Sequence, residues 1–165
     1  MIEAPPYHSM WTTQSTSLLP RWGGYLGASA NMSAKVADKI GGHEGDILYA
    51  QIARSKYSFY TWPTLFEEAE FDKNRVMRGL IGICERSPNL YAANQALIVA
   101  RLIDDHTSAS KIARLWMKNH HSCVHRLWDW DLKKFNDTMN WALADAPLKA
   151  EEANAEPTKQ VSLSE

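Results

Sequence analysis

Between Ser87 and Lys118 the apolar residues recur at the spacing of a single helix face. Leu90, Ala93, Leu97 and Ala100 form one stripe, and Ala109, Ile112, Ala113 and Trp116 form a second beyond the polar stretch Asp104-Asp105-His106. Each stripe predicts a helix, and a connection this short makes the two antiparallel neighbours. Ile98, Val99, Leu102 and Ile103 widen the first stripe, which predicts a helix contacted on two sides. Ser87-Pro88-Asn89 suits its start, because a proline in the first turn loses no helical hydrogen bond, and Thr107 or Ser108 is the expected cap of the second. The alanines at 92, 93, 96, 100, 109 and 113 allow close approach of the backbones, with Leu97 and Trp116 filling the space between.

The same periodicity, weaker in places, covers most of the remaining chain. Met10, Trp11, Gln14 and Leu18 define a first helix, although Thr12, Thr13, Ser15, Thr16 and Ser17 are poor helix formers, so tertiary packing must hold it. Pro20-Arg21-Trp22-Gly23-Gly24 breaks it with a turn built around a tryptophan. Met32, Val36 and Ile40 predict a second helix, ended by Gly41 and Gly42. Leu48, Tyr49, Ile52, Ala53 and Tyr60 are the expected buried face of a third, with Glu44 and Asp46 placed to favour its N-terminus. A fourth lies within Leu65 to Arg86, carried by Val76, Leu80, Ile83 and Cys84, with Phe66 and Phe71 in its lead-in. Gly79 and Gly82 weaken it and mark a close crossing. After a loop at Asn119 to Ser122 and a turn at Trp128-Asp129-Trp130, Phe135, Met139, Trp141 and Ala142 predict a last helix over 132–144. No strand-like alternation of useful length is present. The predicted fold class is all-α, with stacked antiparallel helix hairpins and about seven helices: one helical-repeat-like domain over 1–146, followed by a disordered tail at 147–165 poor in large apolar residues.

Composition narrows the function classes. Of 165 residues 45% are hydrophobic, including seven tryptophans, which is enough for one real core. Eighteen basic against nineteen acidic side chains leave a net charge of −1, so no global attraction draws nucleic acid or anionic lipid, and neither is expected as a partner. Two cysteines make no disulfide framework, no secretory signal is visible, and no apolar run approaches the roughly 20 residues of a membrane span. The expectation is a soluble cytoplasmic protein.

Candidate chemistry is sparse. His120, His121, Cys123 and His125 offer imidazole and thiolate ligands, but their spacing matches no standard zinc or copper site and no second cluster completes four ligands. Solvated or structural histidines are the favoured reading, with a metal-dependent enzyme as the alternative. Glu67, Glu68, Glu70 and Asp72 read as a solvated acidic face, not as a catalytic pair. His43, Glu44 and Asp46 read as helix-start residues. Cys84, set among apolar neighbours, reads as a buried thiol, because a reactive one needs an accessible electropositive setting. Lys73, Arg75, Arg78 and Arg86 form a candidate basic strip that the neutral overall charge disfavours as a nucleic-acid site. Trp22, Trp128 and Trp130 are the candidate partner-binding residues, weighed against core packing or turn anchoring. No phosphate-binding glycine loop or hydrolase motif is found, so no catalytic residue, cofactor or metal is assigned.

Two stretches also carry a resemblance. LLPRWGG at 18–24 followed by GGHEGDILYAQIA at 41–53 resembles a helical domain of uncharacterised bacterial proteins, in which an LLPRW-G turn precedes a G-x-EGD-I-Y segment. PNLYAANQALIVARLIDDHTSASKIARLW at 88–116 looks like the tetratricopeptide-like hairpin that ends such proteins, and the Ser87–Lys118 unit, roughly 32 residues, is near the length of one tetratricopeptide repeat. The chain departs from that pattern where Asp104-Asp105-His106 replaces a small residue at the turn and where the aromatic is displaced to Trp116. The resemblance implies a fold and transfers no activity. The expected function is a non-enzymatic module that holds a protein or peptide partner. A terminal portion of a larger repeat array is a further alternative.

Overall fold

A computed structural model of the chain describes residues 8–87, 89–119 and 123–144. Among them every regular element is helical, so the fold is all-α. The helices are α1 (His8–Ser17), α2 (Ala28–Ile40), α3 (Gly42–Ser55), α4 (Trp62–Glu67), α5 (Lys73–Arg86), α6 (Leu90–Leu102), α7 (His106–Asn119) and α8 (Leu132–Leu143), with 3-10 turns at Pro20–Trp22 and His125–Trp128. None of the described helices is long and apolar enough to cross a membrane. The expected tail at 147–165 lies outside the described residues.

Short polar side chains set the helix starts. Asp72 accepts from the backbone N–H groups of Asn74 and Arg75, Asn89 from those of Tyr91 and Ala92, and Asp131 from those of Lys133 and Lys134. Two of the expected caps are corrected. At α7 the cap is Asp105, whose Oδ1 accepts from the Ser108 N–H at 3.0 Å, in place of Thr107 or Ser108. Asp46 does not cap α3 either, because that helix already begins at Gly42 and the carboxylate faces two arginines of α5. The lead-in to the fourth expected helix proves to be a short helix of its own, α4, separated from α5 by Glu70 in the left-handed region. Tyr60 lies beyond the end of α3, and Leu102 is 44% exposed at the end of its stripe.

The longer helices pack in chain order, α1 on α2, α2 on α3, α3 on α5, α5 on α6, α6 on α7 and α7 on α8. Contacts between α1 and α3, α5 and α7, and α6 and α8 add a second layer. This is a sequential stack whose core runs the length of the array. Leu48, Ile52, Val76, Leu80, Leu97, Val99, Ile112 and Ala113 are among its buried aliphatics.

The α3–α5 crossing is the tightest point. A methyl group on Gly79 would run into the Asp46 carbonyl oxygen and come within 2.5 Å of the Ala50 Cβ, and one on Gly82 would meet His43 and Ile47. Alanine at an unobstructed helix position gains about 1 kcal/mol over glycine, whereas forcing atoms into a packed crossing costs about 1–3 kcal/mol. Because the added methyl would meet backbone at Asp46, the cost falls at the upper end, and Gly79→Ala is expected to lower stability by up to about 2 kcal/mol net. Chemical denaturation reads the sign directly: a stabilised variant would show that the helices are not in contact there.

Candidate interaction surface

The turn after α1 presents a tryptophan because both of its ends are anchored. Leu19 is 1% exposed, and Pro20 starts the 3-10 turn with φ already set. Gly23 closes it at φ 91, a conformation other residues resist, and Gly24 passes so close to the Leu18 carbonyl that no Cβ fits. Trp22, between these anchors, is 49% exposed. Its indole meets the Phe59 ring edge-on, with centroids 5.0 Å apart and planes at 81°. The Arg21 guanidinium lies 5.2 Å from the Trp22 ring and 5.4 Å from that of Phe59. Tyr25 and Leu26, next along the chain, are more exposed still. Four large apolar side chains and one guanidinium thus stand at the surface, and among them Trp22, Phe59 and Arg21 order one another.

Behind Phe59 sits a residue that pattern reading passed over. Lys56 is fully buried, and its Nζ donates to the Thr12 carbonyl at 2.8 Å and to Thr16 Oγ1 at 2.6 Å. No carboxylate pairs with it among the described residues, and burial pushes its pKa down to about 8. The Phe59 and Tyr60 N–H groups both donate to the Lys56 carbonyl, so the turn carrying Phe59 is built on this lysine. The hydroxyl of Ser15 bonds those of Ser29 and Ser33 at 2.6 and 3.3 Å, in the same buried seam. These polar contacts explain how a helix with almost no apolar face docks. The Thr and Ser residues that weaken α1 as an isolated helix are its attachment points.

At the other end of the stack the two remaining candidate tryptophans diverge. Trp128 is not a surface residue: it is 6% exposed, packs edge-on against Phe135 at 5.4 Å, and its Nε1 donates to Asn94 Oδ1 at 2.7 Å. Asn94, itself fully buried on α6, also receives the Val124 N–H and donates to the Leu90 carbonyl. Trp128 is thus a packing residue whose N–H the buried amide of Asn94 needs, and what little of it is exposed lines a groove and does not project from the surface. Trp130 points the opposite way and is 75% exposed, with the His125 ring 6.2 Å away. Asp129 and Trp130 both have positive φ, at 54° and 62°, and this left-handed pair throws the second indole outward.

The other sequence candidates resolve into structural roles. Arg75 donates to Asp38 at 2.7 Å and to Asp46 at 2.9 Å, Arg78 donates to Asp46 at 2.7 Å, and Arg86 pairs with Glu44. The arginines of the basic strip are therefore matched by carboxylates from α2 and α3. Burial alone would raise the Asp46 pKa, but Arg78 and Arg75 hold it below the ordinary carboxylate value. Cys84 is fully buried and its thiol is pushed up to about 12, chiefly by burial, which keeps it out of the reactive thiolate form. His120 and His121 lie outside the described residues. No group of metal-ligating side chains gathers among the described ones.

Comparison of the chain with protein-family models, with curated proteins and with solved structures gives no match.

Proposed function

We propose that the chain is a non-enzymatic interaction module that holds a protein or peptide partner, and that its α6–α7 hairpin is tetratricopeptide-like. The observation that carries the reading is the cluster of Trp22, Phe59 and Arg21, with Tyr25 and Leu26 beside it. Aromatic side chains and arginine are enriched among the residues that dominate binding energetics, the aromatics because they bring large area with few rotatable bonds. Here the rings are held in place before any partner arrives, so little conformational freedom remains to be lost on binding. Trp130, displayed by a strained turn, offers a second anchor. The sequential stack, with its alanine-rich α6 and α7 joined through residues 103–105, supports the hairpin assignment, and such stacks present extended surfaces.

The test is affinity capture from lysate of the source organism with three baits: the wild-type chain, a Trp22→Ala/Phe59→Ala variant and a Trp130→Ala variant, each with unchanged circular dichroism. A partner retained by the wild type and weakened at least tenfold by the double variant supports the reading. Equal capture by all three baits, or capture of nothing, removes the aromatic cluster as a binding surface.

A further inference from the structure

We infer that a second site, the groove between α6, the His125–Trp128 turn and α8, accepts a peptide segment in which a carboxylate lies close to a bulky apolar side chain. This site is separate from the Trp22 cluster and does not depend on it.

The groove has a volume of about 360 Å³ and is open to solvent. Its apolar lining consists of Ile98, Leu127 and Trp128, the latter two 6% exposed, with the Trp128 indole anchored by its hydrogen bond to Asn94. A volume near the lower end of the small-ligand range, on a site that is open, would leave most of a free small molecule in water, since such ligands are usually 70–90% enclosed. A side chain of an extended segment suits it better, because the rest of the segment stays outside.

Charge selects the rest of the occupant. Four charged residues line the groove: Arg101, Asp129, Lys134 and Asp137. Lys134 donates to Asp129 at 3.0 Å, and Asp137 receives Lys133 at 2.7 Å, so these charges are already matched. Among the described residues Arg101 has no carboxylate partner. Its guanidinium stacks on the Trp141 ring at 4.5 Å. A guanidinium over a ring face still has its planar fork of N–H donors for hydrogen bonding, and that fork matches a carboxylate in two parallel hydrogen bonds. The groove therefore combines an apolar floor with one cation that no described carboxylate matches, and its complement is an acidic residue beside a large apolar one.

A phage-displayed random heptapeptide library panned on the immobilised full chain tests this. The expected winners carry Asp or Glu within two positions of Leu, Ile, Phe or Trp. A fluorescein-labelled winner, followed by anisotropy, should bind at least tenfold more weakly to Arg101→Gln. Replacing the peptide's acidic residue by its amide should produce the same loss on the wild-type protein, a control that requires no change in the protein. Trp22→Ala should leave the affinity within twofold. Winners without acidic enrichment, or winners that bind Arg101→Gln as tightly, overturn the inference. Binding lost in Trp22→Ala and retained in Arg101→Gln also overturns it, and would locate peptide binding at the aromatic cluster alone. No enrichment over an unrelated immobilised protein removes this groove as a peptide site while leaving capture at the Trp22 cluster to be judged on its own.

Discussion

Trp128→Ala is expected to destabilise the protein by about 3–5 kcal/mol, the range for truncating a large buried aromatic. Three losses coincide. The cavity opens against Phe135, where the two rings meet at 5.4 Å; the burial of the indole is forfeited; and the Asn94 side-chain oxygen keeps only the longer bond from the Val124 N–H at 3.3 Å. Because Asn94 is fully buried, no water replaces the missing donor without entering the core. The partner experiment is Trp130→Ala, two residues away on the same turn. That indole is 75% exposed, so its loss should change stability by no more than about 0.5 kcal/mol. Urea denaturation of both variants checks the pair. A cost below about 1 kcal/mol at Trp128 would mean that the indole is not the anchor of this end of the stack. One practical consequence follows for binding studies. A variant lacking both tryptophans would report unfolding, and only Trp130 can be altered alone to probe the surface.

Lys56 should make the stability depend on pH in alkaline solution. Its pKa is lowered from 10.5 to about 8 in the folded protein, because burial disfavours the ammonium and no carboxylate among the described residues compensates. Below pH 8 the lysine is protonated in both folded and unfolded chains, so the penalty for burying the charge is fully present and constant. Between pH 8 and 10.5 the unfolded chain binds more protons than the folded one, so stability rises with pH, by up to about 1.4 kcal/mol per pH unit and about 3 kcal/mol in all. The neutral amine keeps two N–H groups, which match the two acceptors on α1, Thr12 O and Thr16 Oγ1.

Other groups oppose this trend. Cys84, raised from 9.0 to about 12, keeps its proton in the folded chain while the unfolded chain loses it above pH 9, so it removes stability there. Tyr49 and Tyr57, raised mainly by burial, do the same above pH 10. The informative quantity is accordingly the difference between wild type and Lys56→Met, in which these contributions cancel. Thr16 Oγ1 still donates to the Thr12 carbonyl at 2.7 Å, so the variant leaves that acceptor satisfied. Denaturation midpoints between pH 7 and 10 should show the wild type gaining on Lys56→Met from pH 8 upward. A difference that stays flat would place the Lys56 amine in contact with water.

Much of the architecture was legible from spacing. The α6 and α7 stripes, the glycine-marked crossing at α5 and the buried thiol of Cys84 follow from local pattern, because a helix face repeats every three or four residues and glycine in a helix needs a reason. The turn built around Trp22 was likewise marked by its proline and glycines, although the exposure of its indole was not. Three things were not legible. Trp128 and Trp130 sit in the same short polar segment with similar neighbours, and their opposite fates depend on Asn94, 34 residues earlier. Lys56 ends a helix, where a lysine is ordinarily solvated; only the docking of α1, 40 to 44 residues away in sequence, buries it. The arginines of α5 look like a basic strip until Asp38, Glu44 and Asp46 are brought against them.

The sequence by itself therefore determined that the chain is helical, where most of its helices run and which faces are apolar, since these depend on residues within one or two turns of each other. The tertiary structure alone decided which polar and aromatic side chains are buried, paired or displayed. Those outcomes depend on groups 14 to 44 residues apart, and hydrophobic periodicity carries no record of such pairings.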